Sequence, residues 1–176
     1  PAARFAFSPI RREHRGAYEK LAAAAGIPAE RLLFVPQGRG DPENQSRYRV
    51  VDAVLDPMPF GNVNGTIEPL AMGVPVVTLV GRRHGERTSY SMLANLGVTS
   101  TVAQSGRDYV EIAVRLAEDE SFMRETREAI AARLPSSLLA DGAAYARNLE
   151  AAYLAALAQK APEALESAGV APPVVS

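Results

Sequence analysis

The chain has 176 residues, of which 47% are hydrophobic, and a net charge of −1, a composition typical of one soluble globular domain. This charge provides no general attraction for a polyanion, and no apolar run approaches the roughly 20 residues that cross a bilayer, so we expect neither nucleic acid nor membrane as a partner. The chain has no cysteine, which excludes thiol chemistry, and only two histidines, which argues against a metal site.

Five short strand-like runs alternate with segments of helical periodicity along the chain. Strands joined by helices need crossover connections, which are nearly always right-handed and lead to a parallel sheet. The alternation therefore predicts the α/β class, with a Rossmann-like parallel sheet that has helices on both faces. The predicted strands are residues 4–7, 32–35, 51–55, 76–80 and 98–103.

The predicted helices carry apolar faces, and several end at a glycine. Gly26, Gly73 and Gly97 each follow such a pattern and predict a helix end. We assign residues 1–157 to one domain and expect a frayed tail at 158–176, where Ala, Pro and Glu predominate. The faces expected to pack are Tyr18, Leu21, Ala22 and Ala25; Met92, Leu93 and Leu96; Tyr109, Ile112, Ala113 and Leu116; and Tyr145, Leu149, Ala152, Tyr153 and Ala156.

The loop after the third predicted strand reads DPMPFGNVNGTIE over residues 56–68. In parallel sheets, ligands bind beyond the carboxyl ends of the strands, where loops meet helix N-termini. Here Asn64, Gly65 and Thr66 open a helix whose free amides suit a diphosphate. Glu68 lies one turn further on, within reach of a ribose diol.

The same loop also has a simpler interpretation, in which it forms a turn without a ligand. Asn62 and Asn64 would then be turn residues, Gly65 would relieve backbone strain, and Glu68 would be a surface charge. The residues alone leave both interpretations open.

Two further loops are expected to lie at the same edge of the sheet. The loop after the second strand contains glycines that allow close backbone approach and arginines that could neutralise phosphate. In the loop after the fourth strand, Arg87 is a candidate diphosphate ligand, and His84 is either an acid or base or a hydrogen-bonding surface residue.

A longer run of residues carries a family resemblance. The sequence VVDAVLDPMPFGNVNGTIEPLAMGVPVVTLVGRRHGERTSYSMLANLGV resembles the C-terminal domain of the O-linked N-acetylglucosamine transferase group. This group includes the SPINDLY-type transferases and the bacterial cytoplasmic N-glucosyltransferases. GRDYVEIAVRLAED, from Gly106, and LEAAYLAAL near the end also resemble helices of that domain, so that the resemblance covers residues 32–153.

The resemblance implies a donor-binding domain that forms the C-terminal half of a GT-B glycosyltransferase. It places the diphosphate at Asn64 to Thr66 and the ribose at Glu68, where the family has Asp. The base-binding loop of the family falls on Gln37, Arg39, Asn44 and Arg47, of which Arg47 matches a family arginine and Asn44 stands where a histidine stacks on uracil.

The activity implied by the resemblance is inverting transfer of a hexose or N-acetylhexosamine to a protein side chain in the cytoplasm. The donor would be a UDP-sugar, with a GDP-sugar as the alternative, and neither metal nor cofactor would be required. The family's first strand, its N-terminal acceptor domain and any helical repeats would lie outside these 176 residues, so we expect this segment alone to be inactive.

Two other functions remain compatible with the residues. A sugar-nucleotide epimerase uses a related fold and a similar glutamate on a helix, and a non-catalytic interaction module could retain the fold without the reaction. Binding of UDP, GDP or phosphate near Asn64 distinguishes the last of these from the others.

Overall fold

The computed structural model of the chain describes residues 3–10, 12–36, 38 and 40–169. Within these ranges, five parallel strands form two groups, a pair β1-β2 and a three-stranded sheet with the order β3-β4-β5. All five lie within or next to the runs predicted from the sequence, which confirms the alternating α/β pattern. Their bounds are β1 Phe5–Ile10, β2 Leu32–Pro36, β3 Val54–Leu55, β4 Val76–Leu79 and β5 Val102–Ala103.

The third strand is shorter than predicted and pairs only with the fourth in the described part of the chain. Its register sets Val54 opposite Val76, and the amide of Asp56 donates to the carbonyl of Val77 at 2.9 Å. The loops after β2 and β3 were expected to follow neighbouring strands of one sheet. This expectation is corrected, because in the described residues β2 pairs with β1 and β3 pairs with β4 in a separate sheet.

Eight helices connect and follow the strands in the described residues. Gly26, Gly73 and Gly97 all have φ +71°, the left-handed conformation that ends a helix, so the three predicted ends are confirmed. The helices are α1 Arg15–Ala24, α2 Asp41–Ser46, α3 Asn64–Ala71, α4 Thr88–Leu96, α5 Gly106–Glu118, α6 Glu120–Arg133, α7 Gly142–Lys160 and α8 Pro162–Ser167.

The three-stranded sheet is packed on both faces. Val76 and Val77 are fully buried consecutive residues of β4, and alternation along a strand directs their side chains to opposite faces. Val76 lies in a cluster with apolar residues of α3, α4 and α6, whereas Val77 packs with Leu116 of α5 and Phe122 of α6. This arrangement confirms helices on both faces of a parallel sheet. Helices α3 and α4 follow β3 and β4 along the chain and so begin beyond the carboxyl ends of these strands.

Two expectations about packing are corrected. On α1, Ala22 is buried but Leu21 is 67% exposed. Helix α7 forms as predicted, yet it has no buried residue, and Tyr145 and Tyr153 on its apolar stripe are 60% and 62% exposed. No other element of the described chain covers this stripe, because α7 contacts chiefly α8.

The segment after residue 157 also differs from its prediction. Residues up to Lys160 continue α7, and α8 follows, with Leu165 only 5% exposed. A short helix with a buried leucine therefore lies in the segment whose composition predicted fraying. Residues 170–176 lie outside the described residues. None of the described helices combines the length and apolar character needed to cross a membrane.

Candidate functional site

A buried carboxylate closes the base of the loop that follows β3. Asp56 is 3% exposed; its Oδ1 accepts the amide of Asn62 at 2.9 Å, and its Oδ2 accepts the hydroxyl of Thr78, on β4, at 2.7 Å. The carboxylate thus joins the two ends of the loop to the central strand. Sequence reasoning did not select Asp56 as a site residue, although an acidic residue directly after a strand and before Pro57 was an available signal.

The carbonyl of Asn62 joins the starts of two helices. It accepts the hydroxyl of Thr66, near the start of α3, at 2.6 Å and the hydroxyl of Ser89, near the start of α4, at 3.1 Å. The two hydroxyl oxygens lie 2.8 Å apart and are buried. As a result, α3 and α4 begin side by side.

The predicted diphosphate residues Asn64, Gly65 and Thr66 occupy different positions at this helix start. Thr66 is fully buried, its hydroxyl bonds Asn62, and its amide donates to the carbonyl of Val63 at 3.1 Å. Thr66 therefore supports the helix start from behind and presents no free donor to a ligand. Within the described residues, the amides of Asn64 and Gly65 have no hydrogen-bond partner.

The start of α4 is open in the same way. No side chain caps α3 or α4, and within the described chain no hydrogen bond engages the amides of Thr88, Ser89 and Tyr90. The hydroxyl of Thr88 is also buried without a partner. Unpaired amides at a helix start carry partial positive charge, so the two adjacent starts provide a favourable position for an anion.

Glycines allow the backbone of this region to close tightly. A Cβ on Gly65 would lie 2.6 Å from Cγ of Asn62, and a Cβ on Gly61 would lie 2.7 Å from the Thr88 hydroxyl. The amide of Gly61 donates to the carbonyl of Gly85 at 3.0 Å, which ties the loop after β3 to the loop after β4. A Cβ on Gly61 would also lie 3.3 Å from the carbonyl oxygen of Gly85, so a larger side chain would crowd the contact between the two loops.

Glu68 and Arg47, which sequence reasoning placed in different subsites, form an ion pair. Arg47 Nη2 lies 3.0 Å from Glu68 Oε2, and the two side chains are only 12% and 22% exposed. The same nitrogen donates to the Tyr48 hydroxyl at 2.8 Å. Burial raises the pKa of Tyr48, against the opposing effect of Arg47.

The remaining members of the predicted base loop are only partly described. Asn44 Oδ1 accepts the amide of Gly38 at 2.9 Å and so holds the loop before α2 closed. A Cβ on Gly38 would lie 2.9 Å from the amide nitrogen of Asn44, so only glycine fits there. Gln37 and Arg39 lie outside the described residues.

The loop after β4 is organised by an acidic residue rather than by its basic ones. Glu86 Oε2 accepts the amides of Arg82 at 2.9 Å and Arg83 at 3.1 Å. Both bonds lower the pKa of Glu86, and the bond from Arg83 has the larger effect. The Arg87 guanidinium donates to the carbonyl of Gly81 at 3.0 Å. His84 lies exposed in a short 3-10 turn at the edge of the site.

Helix α5 reaches the backbone of Asp56 from the opposite face of the sheet. The Tyr109 hydroxyl donates to the carbonyl of Asp56 at 3.0 Å. Burial, together with the negative charge of Asp56, raises the pKa of Tyr109 to about 12.

Comparison with known proteins identifies the family. The sequence pattern described as Glycosyl transferase family 41 matches residues 9–149, most of the chain. The chain belongs to glycosyl transferase family 41. It is 33% identical over 128 residues to a probable UDP-N-acetylglucosamine–peptide N-acetylglucosaminyltransferase, SPINDLY, of Petunia hybrida, covering 73% of this chain and 14% of that protein.

Two further matches extend the comparison to other kingdoms. A UDP-N-acetylglucosamine–peptide N-acetylglucosaminyltransferase of Caenorhabditis elegans is 30% identical over 132 residues, which are 74% of this chain and 11% of that protein. A solved structure of a mutant Thermobaculum terrenum O-GlcNAc transferase superposes with a TM-score of 0.73 and 28% identity, over 81% of this chain and 27% of that one.

These matches confirm the predicted family resemblance and the fold of one half of a GT-B glycosyltransferase. The chain spans only 14% and 11% of the length of the two relatives and 27% of the length of the solved transferase.

Proposed function

We propose that this family 41 chain is the donor-binding domain of an inverting glycosyltransferase, which moves a hexose or N-acetylhexosamine from a UDP-sugar to a protein side chain. The observation that carries the proposal is the pair of open helix starts at Asn64 and Thr88, joined through Asn62 and adjacent to Glu68. The names of the relatives, which specify UDP-N-acetylglucosamine and peptide, support a UDP-linked donor and a protein acceptor.

The open amides of Asn64 and Gly65 would bind the diphosphate of the donor. In the reaction, a nucleophile of the acceptor attacks the anomeric carbon while the bond from that carbon to the diphosphate oxygen breaks. The electron pair of that bond goes to the departing UDP. Amides fixed at a helix start stabilise this developing charge without reorganising.

Other groups would complete the donor site. Glu68 would accept hydrogen bonds from the ribose diol, and Arg87 would add positive charge near the diphosphate. Asn44, with Gln37 and Arg39 as predicted members, would form the base loop. We also propose that the rest of the enzyme supplies the N-terminal acceptor domain and any helical repeats, and that the enzyme is located in the cytoplasm.

Nucleotide binding by the full chain tests this proposal. Titrating UDP, GDP and pyrophosphate while following amide chemical shifts should perturb Asn64 and Gly65 with all three ligands. Residues near Glu68 should respond to the two nucleotides but not to pyrophosphate, which lacks a ribose. If no ligand perturbs the helix starts, the domain would be a non-catalytic module with the family fold.

A substitution at the helix start provides a direct test of anion binding. Val63 precedes Asn64 and is 47% exposed, so a polar side chain fits there. Val63→Asp places a carboxylate at the proposed diphosphate position and should weaken UDP binding by about tenfold or more through charge repulsion. The matched neutral variant, Val63→Asn, should bind UDP nearly as well as the unsubstituted chain.

A further inference from the structure

We propose that the basic loop after β4, residues 81–87, together with the aromatic ring of Phe60, binds an acidic segment of the protein acceptor. The inference deepens the proposed function and rests on it, because it names the class of acceptor that the transferase would take. It concerns the basic cluster that the sequence shows after the fourth strand, of which only Arg87 has a part in the proposed donor site.

The first argument is that the backbone of the basic loop is fixed from within. Glu86 Oε2 accepts the amides of both Arg82 and Arg83, and the amide of Glu86 donates to the carbonyl of Arg83 at 3.0 Å. A Cβ on Gly81 would overlap the side chain of Glu86, so the turn closes tightly because this position is glycine. The Glu86 carboxylate occupies the place at which two successive amides would otherwise bind an anion, and these amides are not available to a diphosphate.

The second argument is that the charges of Arg82 and Arg83 are turned to solvent. The side chain of Arg83 is 89% exposed, and its Nε lies 4.0 Å from Glu86 Oε1, a distance at which the pair is weak. Arg82 is also exposed, and within the described residues its guanidinium has no hydrogen-bond or ion-pair partner. Arg87 differs, because its guanidinium is bonded to the backbone of the loop. Arg82 and Arg83 are therefore local positive charges on a chain whose net charge is −1.

The third argument is an exposed aromatic ring beside the same loop. Phe60 is 71% exposed, and a Cβ on Gly85 would lie 3.9 Å from its Cδ2, which places the ring against the backbone of the loop. The amide of Gly61 donates to the carbonyl of Gly85 and holds this contact. Met58 and Val63, on the same segment, are 43% and 47% exposed. An apolar surface that borders a basic loop is typical of a protein-interaction site.

The position of these groups favours the acceptor as the partner. The basic loop and the segment around Phe60 follow the carboxyl ends of neighbouring strands, where α3 and α4 also begin. An acceptor nucleophile has to reach the sugar held at this edge, so the chain on either side of the nucleophile passes over the same loops. Carboxylates in that chain would pair with Arg82 and Arg83, and an apolar side chain would pack on Phe60.

Peptide binding by the full chain, saturated with UDP, tests the inference. The probes are two peptides of equal length with a leucine and a central serine, flanked by glutamates in one and by glutamines in the other. Calorimetric titration at low salt should show that the glutamate peptide binds about tenfold more tightly, because two exposed ion pairs form. This preference should decrease as added salt screens the charges.

A double variant removes the two exposed charges. Arg82→Gln/Arg83→Gln should abolish the preference for the glutamate peptide and change the affinity for UDP by less than about twofold. The main-chain bonds to Glu86 remain in this variant, because backbone amides form them. The matched control, Arg124→Gln/Arg147→Gln, removes two exposed arginines from α6 and α7 and should keep the preference.

A single variant tests the aromatic ring. Phe60→Ser should weaken both peptides by about threefold or more, because the leucine loses its apolar contact, and should leave the ratio of their affinities unchanged. All the substituted side chains are exposed, and thermal unfolding checks that each variant is folded. If Phe60→Ser binds both peptides as well as the unsubstituted chain, Phe60 has no part in the surface and the proposal fails there.

Other outcomes overturn the inference and separate it from the proposed function. Equal binding of the two peptides, or an equal loss in the control variant, would mean that the basic loop does not recognise carboxylates. Competition between UDP and the glutamate peptide would place the peptide at the diphosphate position, and weaker UDP binding in Arg82→Gln/Arg83→Gln would assign the loop to the donor. Each of these results leaves donor binding intact. If the unsubstituted chain does not bind UDP, the proposed function fails and the acceptor assignment fails with it.

Discussion

The two helices that begin at the candidate site start differently from the three long helices that follow β5. Helices α5, α6 and α7 each start with a side chain that accepts an amide of the first turn, whereas α3 and α4 have no such cap. The three capping bonds are Asp108 N to Ser105 Oγ at 3.1 Å, Phe122 N to Asp119 Oδ1 at 2.9 Å and Ala144 N to Asp141 Oδ1 at 2.8 Å.

This difference shows how one chain separates stability from binding. An N-cap contributes on the order of 1 kcal/mol, because it satisfies an amide that would otherwise lack a partner. Helices α3 and α4 lack such a cap. Their starts are held instead by side-chain hydrogen bonds of Asp56, Thr66 and Ser89 inside the fold. The amides in front stay open for an anion, and the predictions below alter one side of this contrast at a time.

The largest expected effect is at Asp56, because removing its carboxylate should disrupt the open helix starts. Asp56→Ala leaves the amide of Asn62 and the hydroxyl of Thr78 without their acceptors. We expect a loss of about 3 kcal/mol in the free energy of unfolding, measured in urea, together with loss of UDP binding under conditions where the variant is folded. Asp56→Asn, which keeps the shape and one acceptor, should lose less. Unchanged stability and affinity in Asp56→Ala would contradict the structural role assigned to this residue.

The Val63 variants address the open helix start without disturbing its support. The carboxylate of Val63→Asp lies at the positive end of α3, so the free energy of unfolding should stay the same or rise by about 0.3–1 kcal/mol, although UDP binding weakens by about tenfold or more. Thermal unfolding and calorimetric titration of the same samples measure the two effects. If Val63→Asp and Val63→Asn both bind UDP as well as the unsubstituted chain, the start of α3 does not bind the diphosphate.

Removing a cap away from the site should give the opposite result. Ser105→Ala deletes the bond to the amide of Asp108 and should lower the free energy of unfolding by about 1 kcal/mol, while the UDP affinity stays unchanged. Ser105→Thr keeps a hydroxyl and serves as the matched control. A lower UDP affinity in a folded Ser105→Ala variant would mean that the two groups of helices are coupled more closely than their capping indicates.

The effect expected at Tyr109, where α5 contacts the backbone carbonyl of Asp56, is confined to alkaline pH. The pKa of this phenol is raised from 10.0 to about 12, so the folded chain retains a proton that the unfolded chain releases. Stability is therefore unaffected by this group below pH 10 and falls as the pH rises from about 10 to about 12. Tyr109→Phe should show a shallower decline over that range in pH-dependent urea unfolding. An identical decline in both proteins would exclude Tyr109 as its source.

Much of the fold could be predicted from local sequence. The glycines at 26, 73 and 97 end helices because their left-handed conformation is strained for other residues. Alternating runs of apolar residues located all five strands, and the segment DPMPFGNVNGTIE drew attention to the loop where α3 begins. These signals are local in the chain, so they are visible without tertiary structure.

Other features depended on contacts between residues far apart in the sequence. Thr66 was predicted to contact a ligand, but its hydroxyl bonds Asn62 and lies beside that of Ser89, 23 residues further along. Arg47 and Glu68 were assigned to different subsites and instead form a pair across 21 residues. No periodicity or motif predicts such pairs, because they depend on how the loops after β2 and β3 approach each other.

The sequence by itself determined the α/β class, the helix ends, the family and the position of the open start of α3. Only the tertiary structure decided which polar groups remain free there. In the folded chain, the amide and hydroxyl of Thr66 form hydrogen bonds inside the fold, and the carboxylate of Asp56 holds the loop. The amides of Asn64 and Gly65 stay unpaired. The physical reason is that secondary structure follows from each residue's own conformational preferences, whereas a free hydrogen-bond donor is defined by the partners that the rest of the chain supplies.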